Sequence, residues 1–187
     1  SANDSITLVT AIEKGSVDLG AGSDKLTLSN ASNVLTVSNV ETITGGASSD
    51  SVTLGTALTG SITVNLGSGS DTLTLGNFAN VVSVANVETL IGGSLADTVT
   101  LTAPMSSSSS VDLGVGSDVL TLGGGTNAGS VANVETLIGG SGADAMTYVT
   151  QVSNGSIDLN GGNDKITFGD FVNSATVADV ETVIGGS

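Results

Sequence analysis

The sequence predicts an all-β protein, a parallel β-solenoid of the β-helix or β-roll type, with about eight coils of about 23 residues each. Three observations carry this prediction. They are an internal repeat, a strand-like alternation of side chains after every glycine-rich turn, and a shortage of large aromatic residues. The 187 residues include one Tyr, three Phe and no Trp, so small aliphatic and β-branched side chains must fill the core.

The internal repeat is read from a tetrad that recurs along the chain. Asn-Val-Glu-Thr, once in the form Asp-Val-Glu-Thr, recurs in steps of 47, 47 and 46 residues, starting at Asn39, Asn86, Asn133 and Asp179. The chain therefore divides into four units, each with two predicted coils: 1–46, 47–93, 94–140 and 141–187. We expect these units to form one continuous solenoid. Because neither end has an atypical unit, we expect further repeats of the same chain or end-to-end self-association.

Each unit has two glycine-rich turns that end in an aspartate. These residues are Asp4, Asp24, Asp50, Asp71, Asp97, Asp118, Asp144 and Asp164. Two positions after each of them stands an apolar residue, and the next position always holds threonine: Thr7, Thr27, Thr53, Thr74, Thr100, Thr121, Thr147 and Thr167. Alternation with a period of two predicts a strand with one buried face. The eight aspartates would then stack in one file, about 4.8 Å apart.

Charge and missing residue types narrow the classes of function. Three Lys and eighteen Asp plus Glu give a net charge of -15, which repels nucleic acid and anionic lipid and favours cations as partners. The absence of His and Cys removes the usual zinc and copper ligands, disulfides and the common activated nucleophiles. No apolar run approaches the roughly 20 residues of a membrane span. The three lysines are scattered and the carboxylates form rows, so we expect no enzyme activity in this segment.

One turn matches a known calcium-binding motif along its whole length. Residues 139–147, Gly-Gly-Ser-Gly-Ala-Asp-Ala-Met-Thr, fit the nonapeptide G-G-x-G-x-D-x-U-x. In this motif the chain resembles the RTX family of calcium-binding repeats. The other turns keep the pattern in part, as Gly-Gly before the aspartate or as Leu-Gly-x-Gly-Ser-Asp. The resemblance implies Ca²⁺ held between stacked turns by backbone carbonyls and Asp carboxylates.

The metal-binding residues that this resemblance implies follow the turns along the chain. They are Asp4, Gly20, Gly22, Asp24, Gly45, Gly46, Asp50, Gly67, Gly69, Asp71, Gly92, Gly93, Asp97, Gly114, Gly116, Asp118, Gly139, Gly140, Gly142, Asp144, Gly161, Gly162 and Asp164. Elementary chemistry agrees, because glycine lets carbonyls converge and calcium accepts six to eight oxygens. Carboxylates at coil spacing would also repel by roughly 3 kcal/mol per neighbouring pair. We therefore expect several Ca²⁺ ions, up to about one per gap between coils.

The chain also departs from the RTX pattern. That family has tandem nonapeptides and about eighteen residues per coil, whereas here only one side of each predicted coil has a calcium-type turn. We therefore expect a wider β-helix with a single column of ions. One glutamate recurs in each unit, either as an extra ligand or as a solvated charge: Glu41, Glu88, Glu135 and Glu181. The recurring asparagines are expected to form hydrogen-bonded ladders at the corners.

Three functions are compatible with these features. The first is a calcium-stabilised structural segment of a secreted or cell-surface protein, such as an adhesin stalk, a surface layer or an extracellular fibre. The second is an RTX-type accessory module of a secreted enzyme or toxin. The third is binding of ice or polysaccharide along the threonine face. The first two place the chain outside the cell, with any export signal outside this segment, because cytosolic calcium is too low to fold it.

Overall fold

The computed structural model describes residues 2–58 and 62–187, and these residues form twenty β-strands and no helix. The strands are β1 (Ser5–Thr7), β2 (Gly15–Asp18), β3 (Lys25–Thr27), β4 (Val34–Ser38), β5 (Thr42–Gly46), β6 (Ser51–Leu54), β7 (Ile62–Gly67), β8 (Thr72–Thr74), β9 (Val81–Ala85), β10 (Thr89–Gly93), β11 (Thr98–Leu101), β12 (Ser110–Gly114), β13 (Val119–Thr121), β14 (Ala128–Ala132), β15 (Thr136–Ile138), β16 (Ala145–Tyr148), β17 (Gly155–Asp158), β18 (Lys165–Phe168), β19 (Ala175–Ala178) and β20 (Thr182–Ile184). Since no helix is present in the described ranges, none there is long and apolar enough to cross a membrane.

The strands alternate between two parallel sheets. The ten odd-numbered strands form sheet 1 and the ten even-numbered strands form sheet 2, each in chain order. Every strand pairs in parallel with the strand two positions on, so one coil consists of one strand from each sheet. In sheet 1, Leu26 pairs with Ile43, and Ile43 pairs with Val64. This topology confirms the predicted parallel β-solenoid.

The coils are shorter and more numerous than the sequence predicts. Paired residues in neighbouring coils are 17, 20 or 21 positions apart, not about 23. The physical reason is that strands also begin directly after Asn33 and Glu41, so one unit contains five strands instead of four. A unit is therefore two and a half coils, and the prediction of eight coils with two per unit is wrong. Equivalent strands of successive units lie on opposite sheets.

The core is a file of apolar side chains between the two sheets. The apolar residues that follow the aspartates by two positions are fully buried in seven of eight cases: Leu26, Val52, Leu73, Val99, Leu120, Met146 and Ile166. The exception is Ile6, which lies in the end strand β1 and is exposed. The only close aromatic contact in the described chain joins Tyr148 and Phe168, with ring centroids 5.7 Å apart. The core is therefore aliphatic, as the composition predicts.

The threonine row is divided between the sheets. Thr27 pairs with Thr44 in sheet 1, whereas Thr53 pairs with Thr36 and Thr74 in sheet 2. Because a unit contains an odd number of strands, the eight threonines form short runs on alternate faces. The single continuous threonine face that would serve an ice lattice is not formed.

Candidate metal centre

The eight aspartates lie at two corners of the solenoid and not in one file. We call the column of turn residues before the sheet 1 strands corner 1, and the column before the sheet 2 strands corner 2. Corner 1 holds Asp4 and Asp24 and, further along, Asp97 and Asp118. Corner 2 holds Asp50 and Asp71 and, further along, Asp144 and Asp164. The expected single column is therefore wrong, because two and a half coils separate equivalent turns.

Each pair of aspartates belongs to a hydrogen-bonded series that runs across four coils, which we call the Asn-Asp-Asp-Glu ladder. In it, the backbone N–H of each residue donates to the side chain one coil further on. Asn33 donates to Asp50 Oδ1 at 2.8 Å, Asp50 to Asp71 Oδ1 at 2.7 Å, and Asp71 to Glu88 Oε2 at 2.8 Å. Two more complete ladders are Asn80–Asp97–Asp118–Glu135 and Asn127–Asp144–Asp164–Glu181. A shorter one contains Asp4, Asp24 and Glu41.

The first aspartate of a complete ladder has its carboxylate saturated by donors. Asp97 Oδ1 accepts the backbone N–H and the Nδ2 of Asn80 at 3.0 and 2.8 Å. Its Oδ2 accepts the backbone N–H of Gly93 at 3.3 Å. Asp50 and Asp144 have the same three donors from their own ladders. Each of these carboxylates accepts three N–H donors. Because their oxygens are already hydrogen-bonded, they have little need for a metal ion.

The second aspartate has one oxygen without a partner. Asp118 Oδ1 accepts the backbone N–H of Asp97 at 2.7 Å, but its Oδ2 is buried and receives no hydrogen bond from the described residues. The same orphaned Oδ2 recurs in Asp24, Asp71 and Asp164. A buried, unpaired carboxylate oxygen is costly unless it is protonated or meets a cation. These four oxygens are the strongest signal for a ligand in the described chain.

For two of the second aspartates, Asp118 and Asp71, the surroundings raise the pKa of the carboxyl group in the absence of a cation. Burial raises the pKa of Asp118 to about 6, and the neighbouring charges of Glu135 and Asp97 act in the same direction, while the N–H of Asp97 opposes them. Burial also raises the pKa of Asp71, and the charges of Asp50 and Glu88 add to this effect. A bound divalent ion would reverse this bias, because it stabilises the charged carboxylate.

A glycine two positions before the second aspartate leaves room beside its carboxylate. A Cβ added to Gly116 would lie 2.6 Å from Asp118 Oδ1 and 2.9 Å from Oδ2. The same crowding, 2.5 to 3.0 Å from Oδ1, applies to Gly22, Gly69 and Gly162 before their aspartates. Any larger residue would collide with the carboxylate, so these four glycines are needed for the turn whether or not a metal binds.

The remaining predicted glycines have structural reasons of their own. Gly20, Gly67 and Gly114 adopt a left-handed conformation, with φ of 79°, 90° and 82°, and Asn160 takes that place in the fourth unit. Gly45, Gly92 and Gly139 pack against the backbone of the next coil, and Gly46, Gly93 and Gly140 donate to the first aspartate. Gly142 packs against Gly125, and a Cβ on Gly161 would meet open space. The glycines alone therefore do not identify a metal site.

The sequence reasoning missed the role of the glutamates as ladder residues. Glu135 Oε2 accepts the backbone N–H of Asp118 at 2.9 Å, and the other three glutamates do the same for their aspartates. These glutamates are partly or fully exposed, but in each of them one carboxylate oxygen is held by a backbone N–H. The signal was present in the sequence, since each glutamate follows its second aspartate by seventeen residues, the same step that separates Asn from the first aspartate.

The asparagines follow the prediction only in part. Asn133 Nδ2 donates to Asp112 Oδ1 across one coil at 2.7 Å, and Asn86 does the same to Asn65. Asn80 Nδ2 contacts Asp97 Oδ1 one coil on and also the carbonyls of Gly76 and Phe78 in its own turn. The corners therefore contain Asn–Asp and Asn–Asn contacts between neighbouring coils, and not continuous ladders of identical amides.

Four turns offer an unpaired carboxylate oxygen to a cation, and the turns of Asp50, Asp97 and Asp144 do not. In residues 2–58 and 62–187, no three Asp or Glu side chains converge on one point as a metal cluster. An ion beside Asp24, Asp71, Asp118 or Asp164 would therefore take one carboxylate oxygen and would need backbone carbonyls for the rest. Calcium accepts such mixed oxygen sets. Asp50, Asp97 and Asp144 have no orphaned oxygen to offer.

Comparisons with known proteins give no relative from which a function could be transferred. A scan against protein-family models finds no match, and searches of curated proteins and of solved structures find none either. The resemblance to RTX repeats therefore depends on the glycine-rich motif alone.

Proposed function

We propose that this chain is a structural β-solenoid segment of a secreted or cell-surface protein, stabilised by Ca²⁺ at the second aspartate of each ladder. The single observation that carries the proposal is the orphaned, buried Oδ2 of Asp24, Asp71, Asp118 and Asp164. Four chemically equivalent oxygens in four repeats point to one recurring ligand. The net charge of -15 favours a cation as that ligand.

Calcium fits this role better than other common biological metals. The chain has no His or Cys, so its ligands are oxygens, which suit calcium and magnesium more than zinc or copper. Calcium tolerates irregular geometry and carbonyl ligands, whereas magnesium requires a near-ideal octahedron and retains its waters. A turn that supplies one carboxylate and backbone carbonyls therefore favours calcium. Extracellular calcium is abundant enough to fill weak sites, with a Kd of about 10⁻⁴ to 10⁻³ M.

The proposed role is to hold the solenoid in its folded form. An ion that binds only the folded chain adds about 0.4 kcal/mol of stability per site when its concentration equals its Kd, and about 1.4 kcal/mol at ten times its Kd. Four such sites would add about 2 to 6 kcal/mol, which is comparable with the net stability of many domains. The segment would then fold outside the cell, where calcium is available, and remain unfolded or marginal in the cytosol.

The test is a calcium titration by isothermal calorimetry after the chain has been stripped of metal. We expect about four ions per chain, one for each orphaned oxygen. Asp118→Asn should remove one ion from this count. Asp97→Asn is the matched control, because Asp97 lies one coil away in the same ladder and its carboxylate is saturated by N–H donors.

The proposal predicts that Asp97→Asn changes stability but not the number of ions. It is wrong if the wild-type chain binds no calcium at millimolar concentrations, or if the two variants lose the same number of ions. Circular dichroism of the wild-type chain with calcium and with chelator provides a second readout. The thermal transition should shift upward by several degrees when calcium is added.

A further inference from the structure

We propose that a polar side chain at the end of one strand in each unit keeps the candidate cation site open, by holding an N–H group that would otherwise bond to the second aspartate. The inference rests on the proposed function, because it concerns the orphaned oxygens to which we assign calcium. We call these side chains the strand-end residues. Each stands six positions before its second aspartate, and they are Asp18, Asn65, Asp112 and Asp158.

The first aspartates show what happens to this N–H when no such side chain holds it. The backbone N–H of Gly93, four positions before Asp97, donates to Asp97 Oδ2 at 3.3 Å. The corresponding N–H donates to Oδ2 of Asp50 and of Asp144 at 3.4 and 3.2 Å. In these turns the donor therefore saturates the oxygen that a cation would need.

In the turns of the second aspartates the corresponding N–H points elsewhere. The N–H of Gly114, four positions before Asp118, donates to the strand-end residue Asp112 at Oδ1, with a distance of 3.1 Å. The other three turns repeat this contact at 3.0 to 3.1 Å. Gly114 is left-handed, with φ of 82°, whereas Gly93 is not. Since φ sets the direction of the N–H relative to the rest of the turn, this difference removes the donor from Asp118 Oδ2.

The sequence difference between the two kinds of turn accounts for the difference in conformation. Asp and Asn side chains readily accept the N–H two residues further on. Such a side chain stands at the strand end before all four second aspartates. Before the first aspartates Asp50, Asp97 and Asp144 the same position holds Thr44, Ile91 and Ile138. Isoleucine offers no acceptor, and the N–H near Thr44 goes to Asp50.

The asparagine of the repeated tetrad fixes the strand-end residue from the next coil. Asn133 Nδ2 donates to Asp112 Oδ1 at 2.7 Å, the same oxygen that accepts the N–H of Gly114. Asn39 and Asn86 make the equivalent contacts at 2.7 and 2.8 Å. Asp112 thus acts on Asp118 through Gly114. It is a positioning residue and not a metal ligand.

Two variants of Asp112 test this role by calcium calorimetry. Asp112→Ala removes the acceptor, so the N–H of Gly114 should move to Asp118 Oδ2, as that of Gly93 does at Asp97. The ion count should fall from about four to about three. Asp112→Asn removes the same charge but keeps an acceptor, as Asn65 does in the second unit, so it should retain the wild-type count.

The comparison separates positioning from stability and from charge. If Asp112 serves only the fold, Asp112→Ala will melt earlier and still bind about four ions, which would overturn the proposal. Loss of an ion in Asp112→Asn as well would assign the effect to the charge of Asp112, and would overturn it too.

The converse substitution decides the matter if Asp112→Ala fails to fold. Ile138 stands six positions before Asp144, in a turn that also has Gly140 and Gly142 at the places used by the second aspartates. Asparagine at position 138 should take the N–H of Gly140 and free Asp144 Oδ2. Ile138→Asn should therefore add one ion, and Ile138→Val should add none. An unchanged count in Ile138→Asn would overturn the proposal.

A crystal structure of calcium-free Asp112→Ala gives a readout that needs no metal. We expect the N–H of Gly114 to lie about 3 Å from Asp118 Oδ2. If this contact forms and the wild-type chain binds no calcium, the calcium proposal alone is wrong. If the wild-type chain binds about four ions and the N–H of Gly114 does not move in the variant, the positioning role alone is wrong.

Discussion

In the absence of calcium, raising the pH from about 5 to about 7.5 should lower the stability of this chain, and Asp118 should account for part of the loss. Burial raises the pKa of Asp118 from 3.8 to about 6 in the folded chain, so the folded chain binds this proton more tightly than the unfolded chain does. The resulting stabilisation is fully present below pH 3.8 and is lost as the pH rises through about 6.

The size of this effect follows from the two pKa values. Each unit of difference corresponds to about 1.4 kcal/mol, so the values of 3.8 and about 6 set an upper limit of about 3 kcal/mol. Solvent screening at the turn reduces this to about 1 to 2 kcal/mol. Burial raises the pKa of Asp71 as well, so the wild-type chain should show a larger total change than Asp118 alone produces.

The assay is urea unfolding followed by circular dichroism, in chelator, at several pH values between about 5 and 7.5. Between about pH 5 and about pH 7.5 the two pKa values of Asp118 allow a change of about 1.4 kcal/mol before screening, so Asp118→Asn should lose about 0.5 to 1 kcal/mol of the difference between the two ends of this range. Asp112→Asn is the matched control, since it removes a carboxylate from the same unit and the second unit already carries Asn65 at that place. It should keep the wild-type pH dependence.

Calcium should reverse the trend, because bound ions stabilise the charged carboxylates and compete with protons. If the chain is unfolded in chelator at about pH 7.5, acidification should restore its β-sheet signal in circular dichroism. This result would agree with the predicted direction, in which stability falls as the pH rises. The reasoning is refuted if stability in chelator rises with pH over this range, or if Asp118→Asn and the wild-type chain show the same pH dependence.

Three further substitutions test the turns and the core by chemical unfolding. Gly69→Ala should cost about 2 to 4 kcal/mol, because φ is 148° and the new Cβ would lie 2.8 Å from the backbone of Ser48 and Ser49 in the preceding coil. Gly124→Ala, with nothing within 4 Å of the new Cβ, should stay within about 0.5 kcal/mol. Tyr148→Phe should be neutral or stabilise by up to about 1 kcal/mol, since the buried hydroxyl has no partner in the described residues; a loss above about 1 kcal/mol would reveal an unseen partner. Asn80→Ala should cost about 2 to 3 kcal/mol, because the two N–H groups of Nδ2, shared among Gly76 O, Phe78 O and Asp97 Oδ1, are lost at a buried corner, together with the Oδ1 that accepts the Leu58 N–H. A cost under about 0.5 kcal/mol would contradict the ladder.

The solenoid fold could be predicted from the sequence, but the length of its coils could not be read from the aspartates alone. Alternating side chains and a repeat with few aromatic residues leave stacked parallel strands as the natural solution. Turns that end in aspartate precede only some of the strands, so they give too few coils per unit. Residues 33–37, Asn-Val-Leu-Thr-Val, have the same pattern as residues 50–54, Asp-Ser-Val-Thr-Leu, and also begin a strand. An asparagine can replace the aspartate there because both accept N–H groups at a corner.

The sequence could predict which residues belong to the candidate site. It could not predict which of the aspartates is the better metal ligand. The full nonapeptide contains Asp144, yet that carboxylate is saturated by Asn127 and Gly140, so the best motif match is the poorer metal ligand. The orphaned oxygens belong mainly to the Leu-Gly-x-Gly-Ser-Asp turns, such as those of Asp24 and Asp118. Which oxygen is satisfied depends on the residue one coil away, and a motif within one turn does not contain that information.

A unit of two and a half coils also determines how bound cations would resist bending of the solenoid. In a single file, ions would tie together one corner only, and the opposite corner would remain free to open when the rod bends. Here the second aspartates alternate, with Asp24 and Asp118 at corner 1 and Asp71 and Asp164 at corner 2. Successive ladders lie two and a half coils apart, or about 12 Å at 4.8 Å per coil. Bending in either direction would therefore stretch a ladder, and calcium at the four orphaned oxygens would stiffen both corners equally.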